Sequence, residues 1–172
     1  MENETRPPFL TELVEKNIQV IRKAELISVF VVLIGLIVHF MRLNNLDFVL
    51  IIGAVATAIV YFLNAYSIED ASNVETTGIL NSFGFILFIY KLTFFSLAIA
   101  AVTLLMFVTD FPFVGTLINI SGMTLIITFT ISLITKINDR SKIYNTTFYL
   151  RVVPTLIMLF YLASIHYNWL KS

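Results

Sequence analysis

Few residues in this chain are of a kind that could do chemistry, and they lie near the ends of long apolar runs. Glu25, Lys91 and Arg151 are ionisable groups flanked by hydrophobic sequence. His39 and His166 are the two histidines, and Ser121, Thr124, Thr128, Ser132 and Thr135 form a series of hydroxyls. A charge at the centre of a membrane span marks an ion path or a proton relay, because hydrocarbon tolerates it only for a function. Glu25, Lys91, Arg151, Asp47 and Asp110 instead fall within about one helical turn or so of a run's end, where long side chains reach the interface. Together with Arg22 and Lys23, the charges Glu25, Lys91 and Arg151 read as inner-boundary groups. Glu25 and Arg151 are similarly shallow in two different runs, which makes them candidates for an ion pair. Two imidazoles at equal depth could ligate haem or a metal, yet no cysteine and no third histidine completes a site. Interfacial histidines and no cofactor or metal are the expectation.

The hydroxyl series recurs at spacings of 3, 4, 4 and 3. At about 100° per residue these positions make one narrow stripe on a helix. Small hydroxyl side chains let helices approach closely and bond to neighbours or to their own backbone. The same stripe could instead line a hydrophilic path for a small solute or ion. Hydrolysis within a membrane needs a nucleophile beside a base, or paired aspartates, and no His or Asp shares the depth of these hydroxyls. No phosphate-binding glycine loop, HExxH or G-x-S-x-G is found in the sequence either. The expectation is therefore that the protein is no enzyme. Asn145-Thr146-Thr147 fits the glycosylation pattern, but it falls in a segment assigned to the inner side and is expected to be a chance match.

The elements that position these residues are membrane spans. Of 172 residues, 58% are hydrophobic and only 13% charged, with mean hydropathy +0.90, against about 25% charged in a soluble domain. A globule of 19.6 kDa lacks the interior to bury that much apolar sequence. Eleven basic and eleven acidic side chains cancel, so no global field favours nucleic acid. A hydrocarbon core about 30 Å thick needs roughly 17 to 25 apolar residues as helix. Continuous runs of that size predict an all-α polytopic membrane protein with five transmembrane helices, at Ala24 to Met41, Leu46 to Tyr66, Leu92 to Val108, Phe113 to Thr135 and Phe148 to Tyr167. Met1 to Val20 has no signal-peptide pattern, so the first span is expected to direct its own insertion.

Lys and Arg counts set the orientation. An inside N-terminus places Arg6, Lys16, Arg22, Lys23, Lys91, Lys136, Arg140, Lys142 and Arg151 on the cytoplasmic side and only Arg42 and Lys171 outside. Sliding the chain by 69 residues lays the first hairpin on the second, pairing Leu36 with Leu105, Ile51 with Ile120 and Gly53 with Gly122. Both hairpins run in the same direction, which reads as a candidate parallel repeat followed by a fifth span. Arg22 then superposes on Lys91. The apolar run Ile79 to Val108 is 30 residues, about 45 Å of helix and too long for one ordinary span, so a split at Lys91 is expected. The resulting single membrane domain comprises an amphipathic surface helix (8–23), hairpin one (24–66), an acidic inner loop (67–78), an interfacial helix (79–91), hairpin two (92–135), a basic inner loop (136–147) and the fifth span (148–167).

The segments "IGLIVHFMRLNN", "LIIGAVATAIVYFL" and "AVTLLMFVTDFPFVGTLINISG" resemble the N-terminal membrane hairpin of the L subunit of the gliding-motility and type IX secretion motor. Many bacterial inner-membrane proteins share that hairpin. The resemblance covers about 40 residues per copy, a glycine, a turn and apolar flanks, in the manner of a pattern match. It implies a bacterial inner-membrane location. The motor subunit uses a membrane-embedded carboxylate, but here the returning spans hold no Asp or Glu between Phe48 and Ala65 or between Phe113 and Thr135. The expected function is therefore a non-catalytic structural or interaction subunit, with the lipid bilayer and itself or other membrane subunits as partners. The alternative is a small channel or transporter with span four lining the path.

Overall fold

A computed structural model describes residues 13–14, 16–41, 47–67, 83–139 and 144–167. These residues form five helices and no strand: α1 (Ile18–Phe40), α2 (Asp47–Asn64), α3 (Phe83–Val108), α4 (Val114–Asp139) and α5 (Thr146–His166). Each is built from Leu, Ile, Val, Phe and Ala runs. Only α5 contains a proline, Pro154, whose missing N–H leaves one carbonyl of the preceding turn unpaired within the helix.

Local sequence sets the helix ends. Asp47 occupies the first turn of α2, where a carboxylate complements the helix dipole. Asn145 caps α5 by accepting a hydrogen bond from the Phe148 N–H at 2.9 Å, so the asparagine of the glycosylation-type triplet has a local use. The α3–α4 turn closes through Phe111 N–H to Met106 C=O and Asp110 N–H to Phe107 C=O, a Schellman arrangement with Asp110 in the left-handed position at φ 51°.

The helices pack side by side in up-and-down order. α1 lies on α2, α2 on α3, α3 on α4, and α5 against both α3 and α4. Among the described residues no extended packing joins α1 to anything but α2. Gly35 makes that contact close: a Cβ there would stand 2.6 Å from the Leu50 Cα, and one on Gly53 would stand 2.9 Å from the Val32 backbone N. Gly122, paired with Gly53 by the 69-residue offset, has open space around it.

Four helices, α2 to α5, contain segments long and apolar enough to cross a membrane. Their outward faces carry large apolar side chains, with Met123 67%, Phe160 70% and Ile137 79% exposed, while Thr93, Thr103, Ser121, Thr128 and Ser132 are buried inside. Apolar groups outside and small hydroxyls inside reverse the soluble pattern and suit hydrocarbon surroundings.

α3 runs unbroken through Lys91, so the joint expected there is not a break in the helix. Its 26 residues are about 39 Å long, and its first turns are covered by protein: Ile86 and Ile89 are buried, and the Tyr144 hydroxyl donates to the Ile86 carbonyl at 3.2 Å. Burial raises the Tyr144 pKa above its ordinary value, keeping that hydroxyl a donor. Likewise α1 continues through the expected boundary at Lys23. Val14, ahead of α1, is buried in a cluster with Ile21 and Val60. Residues 8–12 of the expected surface helix, residues 68–82 of the acidic loop and the following stretch, and residues 140–143 of the basic loop lie outside the described residues.

Candidate functional site: a charged groove between α1 and α5

Glu25 stands two turns into α1, Asn64 at the last turn of α2 and Arg151 in the second turn of α5. Antiparallel neighbours bring these three positions to the same end of the bundle. Arg151 donates to the Glu25 carboxylate from Nε to Oε1 and from Nη2 to Oε2, the latter at 2.6 Å. Asn64 Nδ2 donates to the same Oε2 at 3.0 Å. The guanidinium also lies 5.4 Å from the centroid of the Phe94 ring, a cation–π distance. Glu25 is buried, and its carboxylate is met by a bidentate guanidinium and an amide N–H, as a buried ion requires, while the Phe94 face meets the guanidinium.

The polar array extends onto α3. Ser67 donates to the Asn64 carbonyl at 2.8 Å and shares a 3.2 Å contact with the Tyr90 hydroxyl. Lys91 is half-buried with Nζ 5.6 Å from the Tyr66 ring centroid. Arg22 and Lys23 are exposed on α1. Of the expected boundary charges, the structure brings Glu25 and Arg151 together, sets Arg22 beside them in the groove wall, and places Lys91 over an aromatic ring.

Beside this array opens a groove of 940 Å³, lined by α1, α2, α3 and α5, with Glu25, Asn64 and Arg151 toward one end and Leu36, Ala54 and Leu104 toward the other. Among the described residues, none of α4 lines it. The hydroxyl stripe is elsewhere: Ser121, Thr128, Ser132 and Thr135 are buried, Thr124 is half-buried, and each donates to a carbonyl three or four residues back in α4, at 2.6 to 3.3 Å. Tyr149 adds a cross-helix bond from its hydroxyl to the Ser132 carbonyl. Each hydroxyl of the series is thus satisfied within its own helix. One buried hydroxyl behaves differently: Thr57 Oγ1, in the groove wall, has no hydrogen-bond partner.

The histidines have separate surroundings. His39 Nδ1 is 3.0 Å from Asp47 Oδ1 across the α1–α2 turn, whereas His166 crowds Gly115 of α4, where an added Cβ would meet its Nε2 at 2.7 Å. Among the described residues no cluster of three His, Cys, Asp or Glu side chains could hold a metal.

Asn64, Ser67 and Tyr90 are participants that sequence reasoning missed. An asparagine closing an otherwise apolar run was the available signal for Asn64, since a buried amide needs partners. Comparison of the chain with protein families, with curated proteins and with solved structures finds no match.

Proposed function

We propose that the protein is a non-catalytic subunit of a membrane assembly that works by lateral association, with the groove between α1 and α5 receiving an apolar membrane partner. The observation that carries this reading is the incomplete closure of the bundle. α1 packs along α2 but meets α5 at the Glu25–Arg151 pair, and a 940 Å³ groove stays open beside it. Polar groups elsewhere support the same reading, because the hydroxyls of α4 are committed to their own helix.

In this proposal α1 is a fifth span, held against α2 by the Gly35 and Gly53 contacts. The charge asymmetry supports a cytoplasmic N-terminus and an outside C-terminus. The hairpin resemblance supports a bacterial inner membrane, and the offset of 69 residues supports two parallel hairpins. Purification of the full chain in mild detergent tests the function: a stoichiometric membrane partner, or a defined self-assembly, is the expected result. Ion or solute flux through proteoliposomes that Thr128→Leu abolishes without unfolding would assign the protein to the channel class instead.

A further inference from the structure

Polar groups on α2 to α5 stand at two levels, and the distance between the levels repeats from helix to helix. Asp47 and Asn64, the end residues of α2, are about 26 Å apart along the axis. Lys91 and Thr109, the latter just past the end of α3, are about 27 Å apart. Asn119 and Lys136 of α4, and Tyr149 and His166 of α5, are each separated by about 26 Å. Between the levels the exposed faces are apolar, with Ile52, Ile59, Met123, Ile126, Ile157 and Phe160 on them. An ordinary hydrocarbon core is about 30 Å thick, so every one of the four bands is short of it. A long cation usually evades such a limit by reaching outward to the interface. Here the cations are held at their own level: Lys91 Nζ lies 5.6 Å from the Tyr66 ring centroid, Lys136 Nζ lies 4.6 Å from the Tyr149 ring centroid, and Arg151 is clasped by Glu25. At the other level Asn119 donates to the Tyr167 hydroxyl at 3.0 Å, and His39 Nδ1 lies 3.0 Å from Asp47 Oδ1.

We propose that the lateral surface of α2 to α5 is matched to a thin bilayer, with a hydrocarbon layer of about 26 Å, and that a bilayer of ordinary thickness is compressed around the protein. Tilting shortens the projection of a helix, so it cannot make up a deficit in length. The bilayer must thin instead, at a cost that grows with each ångström of mismatch. Phe113 at one level and Ile137 at the other lie just outside the band, in the headgroup boundary that still takes up apolar side chains. The partner is therefore the lipid itself, short acyl chains being preferred to long ones. This matching concerns the outer surface of the bundle and is independent of what the groove receives.

The full chain is reconstituted in vesicles of dimyristoleoyl, dipalmitoleoyl, dioleoyl or dierucoyl phosphatidylcholine, a series of increasing thickness, and its thermal midpoint is followed by circular dichroism. The midpoint is expected to be highest in one of the two shorter lipids and to fall through dioleoyl to dierucoyl. Replacing both pinned lysines, Lys91→Leu with Lys136→Leu, lengthens the apolar band of α3 and α4 at the charged level and should move the maximum one step toward longer chains. Asn119→Leu lengthens the band of α4 from the opposite level and should move the maximum in the same direction, which keeps the test decisive where the double variant does not fold. Loss of a merely structural contact would lower the midpoint in all four lipids alike and leave the maximum in place. A midpoint independent of chain length, a maximum in dioleoyl or dierucoyl lipid, or a maximum that no folded variant moves overturns the proposal.

Discussion

Glu25 and Arg151 lie 126 residues apart in the chain and are joined by two hydrogen bonds from one guanidinium to one carboxylate. With Asn64 donating to the same carboxylate, the pair connects three helices at one level of the bundle.

Removing one partner leaves a buried charge uncompensated, which costs about 3–5 kcal/mol. Glu25→Arg and Arg151→Glu are each expected to lower the thermal midpoint in detergent and the amount of protein accumulating in the membrane. The double reversal should recover most of the loss, since Asn64 can turn its amide and present its carbonyl oxygen to the guanidinium then carried by α1. Failure of the double variant to recover would show that the geometry, rather than the charges, is what the site needs.

Gly35→Ala and Gly122→Ala should have opposite effects. The first places a methyl 2.6 Å from the Leu50 Cα and must push α1 off α2, at about 1–3 kcal/mol as an overpacking change. The second meets open space and gains up to about 1 kcal/mol of helix propensity. Unfolding midpoints of the two variants, measured side by side, check the contrast.

Thr128→Val removes a hydroxyl bonded within its own helix, to the Leu125 carbonyl at 3.3 Å. The expected change in stability is about 0.6 kcal/mol or less, the scale of polar contacts between membrane helices. A loss several times larger would mean that the hydroxyl serves a group beyond α4.

Asp110→Gly should stabilise the α3–α4 turn by up to about 1 kcal/mol, because φ 51° carries a steric cost for any residue with a Cβ. The substitution keeps both backbone bonds of the turn. A lowered midpoint would indicate a use for the Asp110 carboxylate that the backbone geometry does not reveal.

Much of the fold was legible because hydrocarbon thickness imposes a length on every apolar run. The α3–α4 turn, the helical character of α2 to α5 and the single hydroxyl face of α4 follow from that length and from 3.6-residue periodicity. The approach of Glu25 to Arg151 was readable only as equal depth; that their helices share a groove depends on how α1 and α5 are arranged around α2 and α3, which no local pattern encodes. Lys91 misled for a related reason. Excess length at the start of α3 is absorbed by packing of Ile86 and Ile89, and a lysine is a good helix former, so the chain has no cause to break there. Asn145, whose match to a modification triplet was expected to be chance, sits where the first turn of α5 needs an acceptor.

Separation along the chain gives the Glu25–Arg151 clasp a meaning in time. At about 5–20 residues per second, a ribosome needs roughly 6 to 25 s after placing Glu25 to reach Arg151. During that interval the carboxylate has Asn64 on its own hairpin but no cation from α5. The clasp closes only on chains translated through the fifth helix, so the last helix to be made supplies the cation for a carboxylate near the start of the first.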